Sequence, residues 1–158
     1  MRIRPYIPED RDALVRITLI CFDGVSIDQN IEKKFGKVGG RDWKFRKARH
    51  IIQDIEANPE GIFVAEEDGE PVGYITTRPD HETKIGWIPN LAVLPEHRRK
   101  GIGKALMDRA LDYLKEKGME MAKIETLEQN EVGKRFYPKV GFVEVARQIH
   151  YVIPLEER

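Results

Sequence analysis

The sequence predicts an α/β fold of the α+β kind, with about seven strands and about four helices. Three observations lead there. Short β-branched segments alternate along the chain with longer stretches whose apolar residues recur at helical spacing. Two of the strand segments meet at Asp68-Gly69, a tight-turn pair that makes this part of the sheet antiparallel. From Ile85 to Lys117 the chain reads strand, glycine turn, helix as one continuous unit. At 158 residues the length suits one domain spanning 1–158 and one real core.

In chain order, Arg2 to Ile7 alternates polar and apolar residues as a half-buried strand, with Pro5 favouring an edge or a strand end. Pro8-Glu9-Asp10 opens a helix that carries Leu14, Ile17 and Cys21 or Phe22 on one face. The pattern breaks up from Asp23 to Gly40, leaving a loop with a short helix around Asp28 to Phe35. Asp42 caps a second long helix reaching about Ala57. Trp43 and Phe45 near its start are read as packing residues, with a role lining an acceptor pocket as the alternative. Ile62–Ala65 and Pro71–Thr76 form the hairpin. The segment Ile85 to Val93 is one strand, interrupted at Pro89 by a bulge because proline cannot donate to a ladder. The next helix points Ile102, Ala105, Leu106, Ala110, Tyr113 and Leu114 inward and stops at Gly118. Ala122–Thr126 is a strand, Asn130 caps a short helix closed by Pro138, and Gly141–Val145 and Ile149–Ile153 end the chain as two strands.

Lys plus Arg and Asp plus Glu each number 27, so no global field favours nucleic acid or a membrane surface, and any anion site is local. Arg98-Arg99-Lys100 lacks the interleaved aromatics of a nucleic-acid patch. The four histidines are scattered away from metal-ligand spacing, so no metal is expected. A lone Cys21, no apolar signal core and no uninterrupted membrane-spanning run point to a cytoplasmic protein, with Cys21 a buried small hydrophobe.

The Ile85 to Lys117 unit carries the chemistry. A strand feeding a glycine turn at a helix N-terminus exposes unpaired N–H groups at the positive end of the helix dipole. Gly101 and Gly103 let a phosphate approach the main chain, and Arg98, Arg99, Lys100 and Lys104 surround the point with mobile cations. Upstream, the interruption at Pro89 leaves the main-chain groups of Leu91 and Val93 free to pair with a ligand of amide character. Coenzyme A has such a pantetheine arm leading to a pyrophosphate. Neither the three-glycine dinucleotide fingerprint nor the P-loop can be written over Arg98 to Leu106.

Arg98-Arg99-Lys100-Gly101-Ile102-Gly103 resembles motif A of the GNAT superfamily of N-acetyltransferases, Arg/Gln-x-x-Gly-x-Gly/Ala. Asn90-Leu91-Ala92-Val93-Leu94-Pro95 is similar to that family's fourth strand and its exit. Asn130, Gly133, Phe136, Tyr137, Gly141 and Phe142 stand at the spacing of motif B, with Gly133 in place of the usual alanine and Pro138 after the tyrosine. Gly133 marks either close approach of the ligand or a weak last helix.

The resemblance implies a GNAT-like mixed, mostly antiparallel central sheet flanked by helices, and acetyl transfer from acetyl-CoA to an amine by direct attack in a ternary complex. It implies Leu91, Ala92, Val93, Arg98, Arg99, Lys100, Gly101, Ile102, Gly103, Lys104, Asn130 and Tyr137 as cofactor-binding residues. Tyr137 is the implied acid, and the Leu91 N–H is the donor to the acetyl carbonyl. Glu125 lies twelve positions before Tyr137, as in the catalytic pair of ribosomal-protein alanine N-acetyltransferases, and is the candidate base. A partly buried carboxylate there would have a raised pKa. Glu128 and an ordered water remain alternatives. The expected acceptor is a primary amine, a protein N-terminal or lysine amine or a polyamine-like small molecule. A CoA-binding regulatory module is the rival class, and a homodimer is allowed for because edge strands in this fold often pair.

Overall fold

The chain folds around one half-sheet of four antiparallel strands, ordered β1-β2-β3-β5, and a separate parallel pair, β4-β6. The computed structural model describes residues 1–157. β1 (Arg2–Pro5), β2 (Phe63–Glu67), β3 (Glu70–Ile75) and β5 (Leu91–Val93) make the first group. β4 (Ile85–Trp87) and β6 (Met121–Lys123) make the second. The β2–β3 turn has φ +51° at Asp68 and +79° at Gly69, the left-handed pair that a two-residue hairpin turn requires.

Five helices carry the remaining core: α1 (Arg11–Cys21), α2 (Ile27–Phe35), α3 (Trp43–Ala57), α4 (Ile102–Glu116) and α5 (Glu131–Lys139). Their starts follow local chemistry. The Ser26 hydroxyl accepts from the Gln29 N–H, the Asp42 carboxylate from the Phe45 N–H and the Asn130 amide oxygen from the Gly133 N–H. α1 and α3 share a layer, and their Leu14, Ile17, Ile51 and Ile55 join one buried cluster with the sheet: Tyr74, the register partner of Val64, turns to α1 through its hydroxyl bond with Thr18, whereas Phe63 faces α4 with its ring 5.7 Å from Tyr113. α4 brings Ile102, Leu106, Met107, Ala110, Tyr113 and Leu114 into the same core, close to the predicted stripe. Trp43 is buried and packs, whereas Phe45 lies exposed under the Arg41 guanidinium, 4.1 Å from its ring centroid.

Two expectations about strands fail. The Ile85 to Val93 segment is not one bulged strand: it breaks completely at Ile88-Pro89-Asn90, and its halves join different sheets. Proline supplies no ladder donor, and the Ile88 N–H turns to the Lys123 carbonyl (3.0 Å) while the Asn90 carbonyl accepts from the Thr76 N–H (3.0 Å). The two C-terminal strands, Gly141–Val145 and Ile149–Ile153, are absent: residues 142–154 run without regular structure and largely exposed. Their alternation is real, but no strand among the described residues pairs with them. The described strands therefore number six, in a mixed, mostly antiparallel arrangement.

Candidate active site

The break at Pro89 is held open by a polar cluster in which Asn90 and Thr76 are buried and Asp54 and Arg78 partly so. Asn90 donates to Asp54 Oδ2 (2.7 Å) and Thr76 Oγ1 (3.1 Å), and Arg78 grips the other Asp54 oxygen at 2.7 Å. Beyond it, ladder bonds in an antiparallel pair fall on alternate residues. Thr76 N–H to Asn90 O and Leu94 N–H to Val72 O (2.9 Å) put those bonds on even positions. Ala92 is thus bound to β3 and buried, while Leu91 and Val93 turn their main-chain groups away from β3. One of those groups is already engaged. The Val93 carbonyl accepts from Arg98 Nε (3.0 Å) and from the Cys21 thiol (3.3 Å), which uses both its lone pairs. Burial raises the Cys21 pKa, so the thiol is a packing group with a weak hydrogen bond.

After β5 a single 3-10 turn over Pro95–His97 leads into the basic segment. Gly101, at φ +82°, starts α4 with no side-chain cap, and the first helical bond runs from the Ala105 N–H to the Gly101 carbonyl (3.0 Å). The N–H groups of Ile102, Gly103 and Lys104 are left pointing out of the helix mouth. Arg99 has φ +65°, a conformation that costs a non-glycine residue about 1–2 kcal/mol. The cations are less mobile than the sequence suggests. Arg98 is bound to Val93, Lys100 Nζ lies 3.5 Å from Glu67 Oε2, and Lys104 Nζ lies 2.8 Å from Asp108 Oδ2. Among the described residues, Arg99 alone of the four has no partner. His97 Nδ1 also meets Glu67 (2.8 Å); against desolvation, His97 and Lys100 hold that carboxyl below its ordinary range.

α5 closes the other side. A Cβ placed on Gly103 would stand 3.4 Å from the Phe136 ring, so the α4 mouth and α5 are in contact there. Tyr137 meets Phe136 edge-on at 5.4 Å and Phe142 at 5.9 Å. Its hydroxyl has no hydrogen-bond partner among the described residues, and burial pushes its pKa up to about 12, so the phenol keeps its proton at neutral pH. Gly133 is explained by packing: a Cβ there would sit 2.7 Å from Thr126 Oγ1 and 3.3 Å from Thr126 Cβ. The close approach is of the β6–α5 loop.

Glu125 departs from expectation. It lies exposed in the loop after β6 instead of partly buried between strand ends, and it has no hydrogen-bond or ion-pair partner among the described residues. Glu128 is exposed as well, 3.7 Å from Arg147. A contact with no sequence signal holds their loop: Gln129 donates to the Gly24 carbonyl (2.7 Å) and accepts from Asn30 Nδ2 (2.9 Å). The α1–α2 loop is thereby fixed against the loop that carries both carboxylates. The structure thus ties Arg98 to Val93 on β5 and brings the α4 mouth against α5, which carries Tyr137 and is capped by Asn130, and it leaves Glu125 exposed in the loop after β6. These residues suit a ligand with amides at one end and a polyanion at the other, because unpaired main-chain groups precede an uncapped helix start and an unpaired arginine.

The family model described as Acetyltransferase (GNAT) family matches residues 27–142. An uncharacterized N-acetyltransferase of Archaeoglobus fulgidus is 29% identical over 146 residues, covering 87% of this chain and 89% of that protein. An N-alpha-acetyltransferase of Sulfurisphaera tokodaii is 33% identical over 112 residues, covering 64% and 67%. The chain spans about half the length of the mycothiol acetyltransferases of Streptomyces coelicolor and Segniliparus rotundus that it also matches, 45% and 52%. In fold it is similar to a PaiA N-acetyltransferase from Thermoplasma acidophilum in complex with coenzyme A, at TM-score 0.71 and 24% identity, covering 90% of this chain and 89% of the other. With nearly three quarters of its length inside the family match, a break between β4 and β5 and an uncapped helix start after β5, the chain belongs to the acetyltransferase (GNAT) family of acetyl-CoA-dependent enzymes.

Proposed function

We propose that this enzyme acetylates the α-amine of a protein or peptide N-terminus. Acetyl-CoA supplies the acyl group as a thioester. Leu91, Ala92 and Val93 on β5, the segment Arg98-Arg99-Lys100-Gly101-Ile102-Gly103-Lys104, and Asn130 and Tyr137 on α5 are the residues that would hold it. Within that set the Leu91 carbonyl and the Val93 N–H meet amides, and Arg99 with the helix-mouth N–H groups meets the pyrophosphate. The Leu91 N–H donates to the carbonyl oxygen that gains charge, and Tyr137 passes its proton to the departing sulfur. Glu125 takes a proton from the ammonium through the solvent at the rim, and its exposure favours relay by water over direct contact.

The observation that carries the reading is the outward turn of Leu91 and Val93 on β5, taken with a protonated Tyr137 on α5 that has no hydrogen-bond partner among the described residues. The acceptor follows the N-alpha-acetyltransferases of Sulfurisphaera tokodaii and Schizosaccharomyces pombe, each 33% identical over the matched region. Thiol release from acetyl-CoA tests it, with three acceptors: peptides with a free α-amine and no lysine, the same peptides α-blocked with one lysine, and a polyamine. Release only with the first supports the proposal. Release only with the others reassigns the acceptor, and CoA binding without any release makes the chain a regulatory module.

A further inference from the structure

The total charge of zero conceals an uneven distribution. From Ile27 to His50, eight lysines and arginines stand against three acids, so this stretch is five charges positive and the rest of the chain five negative. The three acids are engaged inside the fold. Asp28 meets Arg46 Nε at 3.2 Å and His50 Nδ1 at 3.3 Å, Glu32 accepts from the Trp43 N–H (3.1 Å), and Asp42 caps α3. Among the described residues, Arg46 alone of the eight cations has an ion pair, and Lys47 turns its Nζ onto the Phe22 ring at 4.3 Å. Lys33, Lys34, Lys37, Arg41, Lys44 and Arg49 are exposed.

Aromatic rings are set among these cations. Phe35 and Phe45 are 42% and 38% exposed, and the Arg41 and Arg49 guanidiniums lie 4.1 and 6.0 Å from the Phe45 ring centroid. The connection between α2 and α3 is ordered as well. Val38 and Arg41 exchange main-chain bonds of 3.3 and 3.1 Å around Gly39 and Gly40, whose φ angles of +60° and +73° make a tight two-residue turn. That turn fixes the chain at Lys37 and Arg41. The basic segment Arg98-Arg99-Lys100 lacks such rings, so the two cationic regions differ in kind.

A patch of solvated like charges repels itself, and a polyanion relieves it while releasing its own counterions. Composition separates the two polyanions that would answer. Four of the six exposed cations are lysines, which are depleted from the interfaces between proteins and suit a phosphate backbone. Exposed ring faces beside guanidinium planes are surfaces on which unstacked bases lie.

We propose that the α2–α3 face binds single-stranded nucleic acid, with Lys33, Lys34, Lys37 and Lys44 along the phosphates and bases stacked on Phe45 and its flanking arginines. Both contacts are made to groups that every nucleotide has, so binding is tolerant of sequence. Asn30, one turn before Lys33 and Lys34 on α2, donates to Gln129 (2.9 Å) in the loop that carries Glu125. The strand is therefore held near the acceptor side, which concentrates the enzyme on acceptor proteins bound to the same strand. The surface stands whether or not the acceptor is an N-terminal amine.

Fluorescence anisotropy of a labelled twelve-nucleotide oligouridylate, titrated with the full chain in saturating coenzyme A, tests the proposal. Coenzyme A fills the anion site at the α4 mouth, so what binds in its presence binds elsewhere. Binding is expected at about 50 mM salt and should weaken about fiftyfold at about 200 mM, the effect of roughly four neutralised phosphates. Lys34→Glu with Lys44→Glu should weaken it by about tenfold or more and flatten the salt dependence, and Phe45→Ala by about fivefold, with melting temperatures near wild type. Oligothymidylate of the same length should bind about as well, since neither contact reads the sugar. Absence of binding at about 50 mM salt, or binding that both variants leave unchanged, overturns the proposal. So does a duplex that binds as tightly as the single strands, and so does a twelve-residue oligoglutamate that binds more tightly, which reassigns the face to an acidic protein.

Discussion

Arg98 reaches back from the basic turn to donate from Nε to the Val93 carbonyl, 3.0 Å away, so the first cation of the glycine motif is also a clamp on the end of β5. A charged hydrogen bond of this kind contributes about 1.5–3 kcal/mol. Arg98→Ala is expected to weaken acetyl-CoA binding by about ten- to a hundredfold, with a smaller change in kcat. Titration calorimetry against Arg99→Ala, which releases no clamp, separates the two roles. Equal enthalpies and affinities for both variants would reduce Arg98 to a surface charge.

Tyr137 offers a second measurement. With its hydroxyl unpartnered and its pKa pushed to about 12, the phenol is available as an acid across the physiological range. Tyr137→Phe keeps the ring contacts to Phe136 and Phe142 and removes only the proton donor. Turnover should fall by about a hundredfold or more, while acetyl-CoA affinity and melting temperature stay close to wild type. Stopped-flow assay of thiol release reads this directly, and an unchanged kcat would end the acid assignment.

Glu125 at the rim makes a different kind of demand. An amine acceptor well below its own pKa needs a base, and near that pKa it does not. Glu125→Gln is therefore expected to lower kcat/KM most at low pH, with the gap closing as pH rises. Parallel curves for the two proteins would pass the role to Glu128 or to water alone.

Gly133 can be tested through its neighbour. Gly133→Ala gains up to about 1 kcal/mol of helix propensity but drives a methyl into Thr126, an overpacking that costs about 1–3 kcal/mol. The single variant should melt lower than wild type. Adding Thr126→Ala removes the obstacle, and the double variant should recover the loss, as urea denaturation would show.

Asp10 gives the pH dependence of the fold. Burial alone would raise its carboxyl, but hydrogen bonds from Arg4 at 2.8 Å to each oxygen, and from the Ile7 N–H, outweigh it and lower the pKa. A depressed folded-state pKa contributes stability that is complete above the unfolded value near 3.9 and is lost as pH falls through the folded value. Denaturation midpoints should drop below about pH 4, and Asp10→Asn should be less stable near neutrality with a flatter acid limb.

Elements whose partners lie nearby in the chain were legible in the sequence. The Asp68-Gly69 hairpin, the Asp42 and Asn130 caps and the buried stripe of α4 depend on residues a few positions apart, and all stand where the pattern puts them. The glycine turn and the outward face of Leu91 and Val93 were legible for the same reason. What failed depends on distant partners. The Val93 carbonyl is taken by Cys21, Glu125 is exposed because β6 stops at Lys123, and the last two strands lack a neighbour in their own chain. Gln129 left no trace at all, since a polar residue in a loop looks the same whether it meets water or Gly24.

The divided sheet has one more effect. A ligand whose amides meet Leu91 and Val93 would lie at the junction of two half-sheets that are joined through the Arg78–Trp87 bridge (2.7 and 2.9 Å) and share no longer ladder, so it would serve as mortar as well as reactant. Saturation at a hundred times the dissociation constant would add about 2.7 kcal/mol of stability at that junction. Donor supply in the cell would then govern how firmly this chain holds together, not only how fast it turns over.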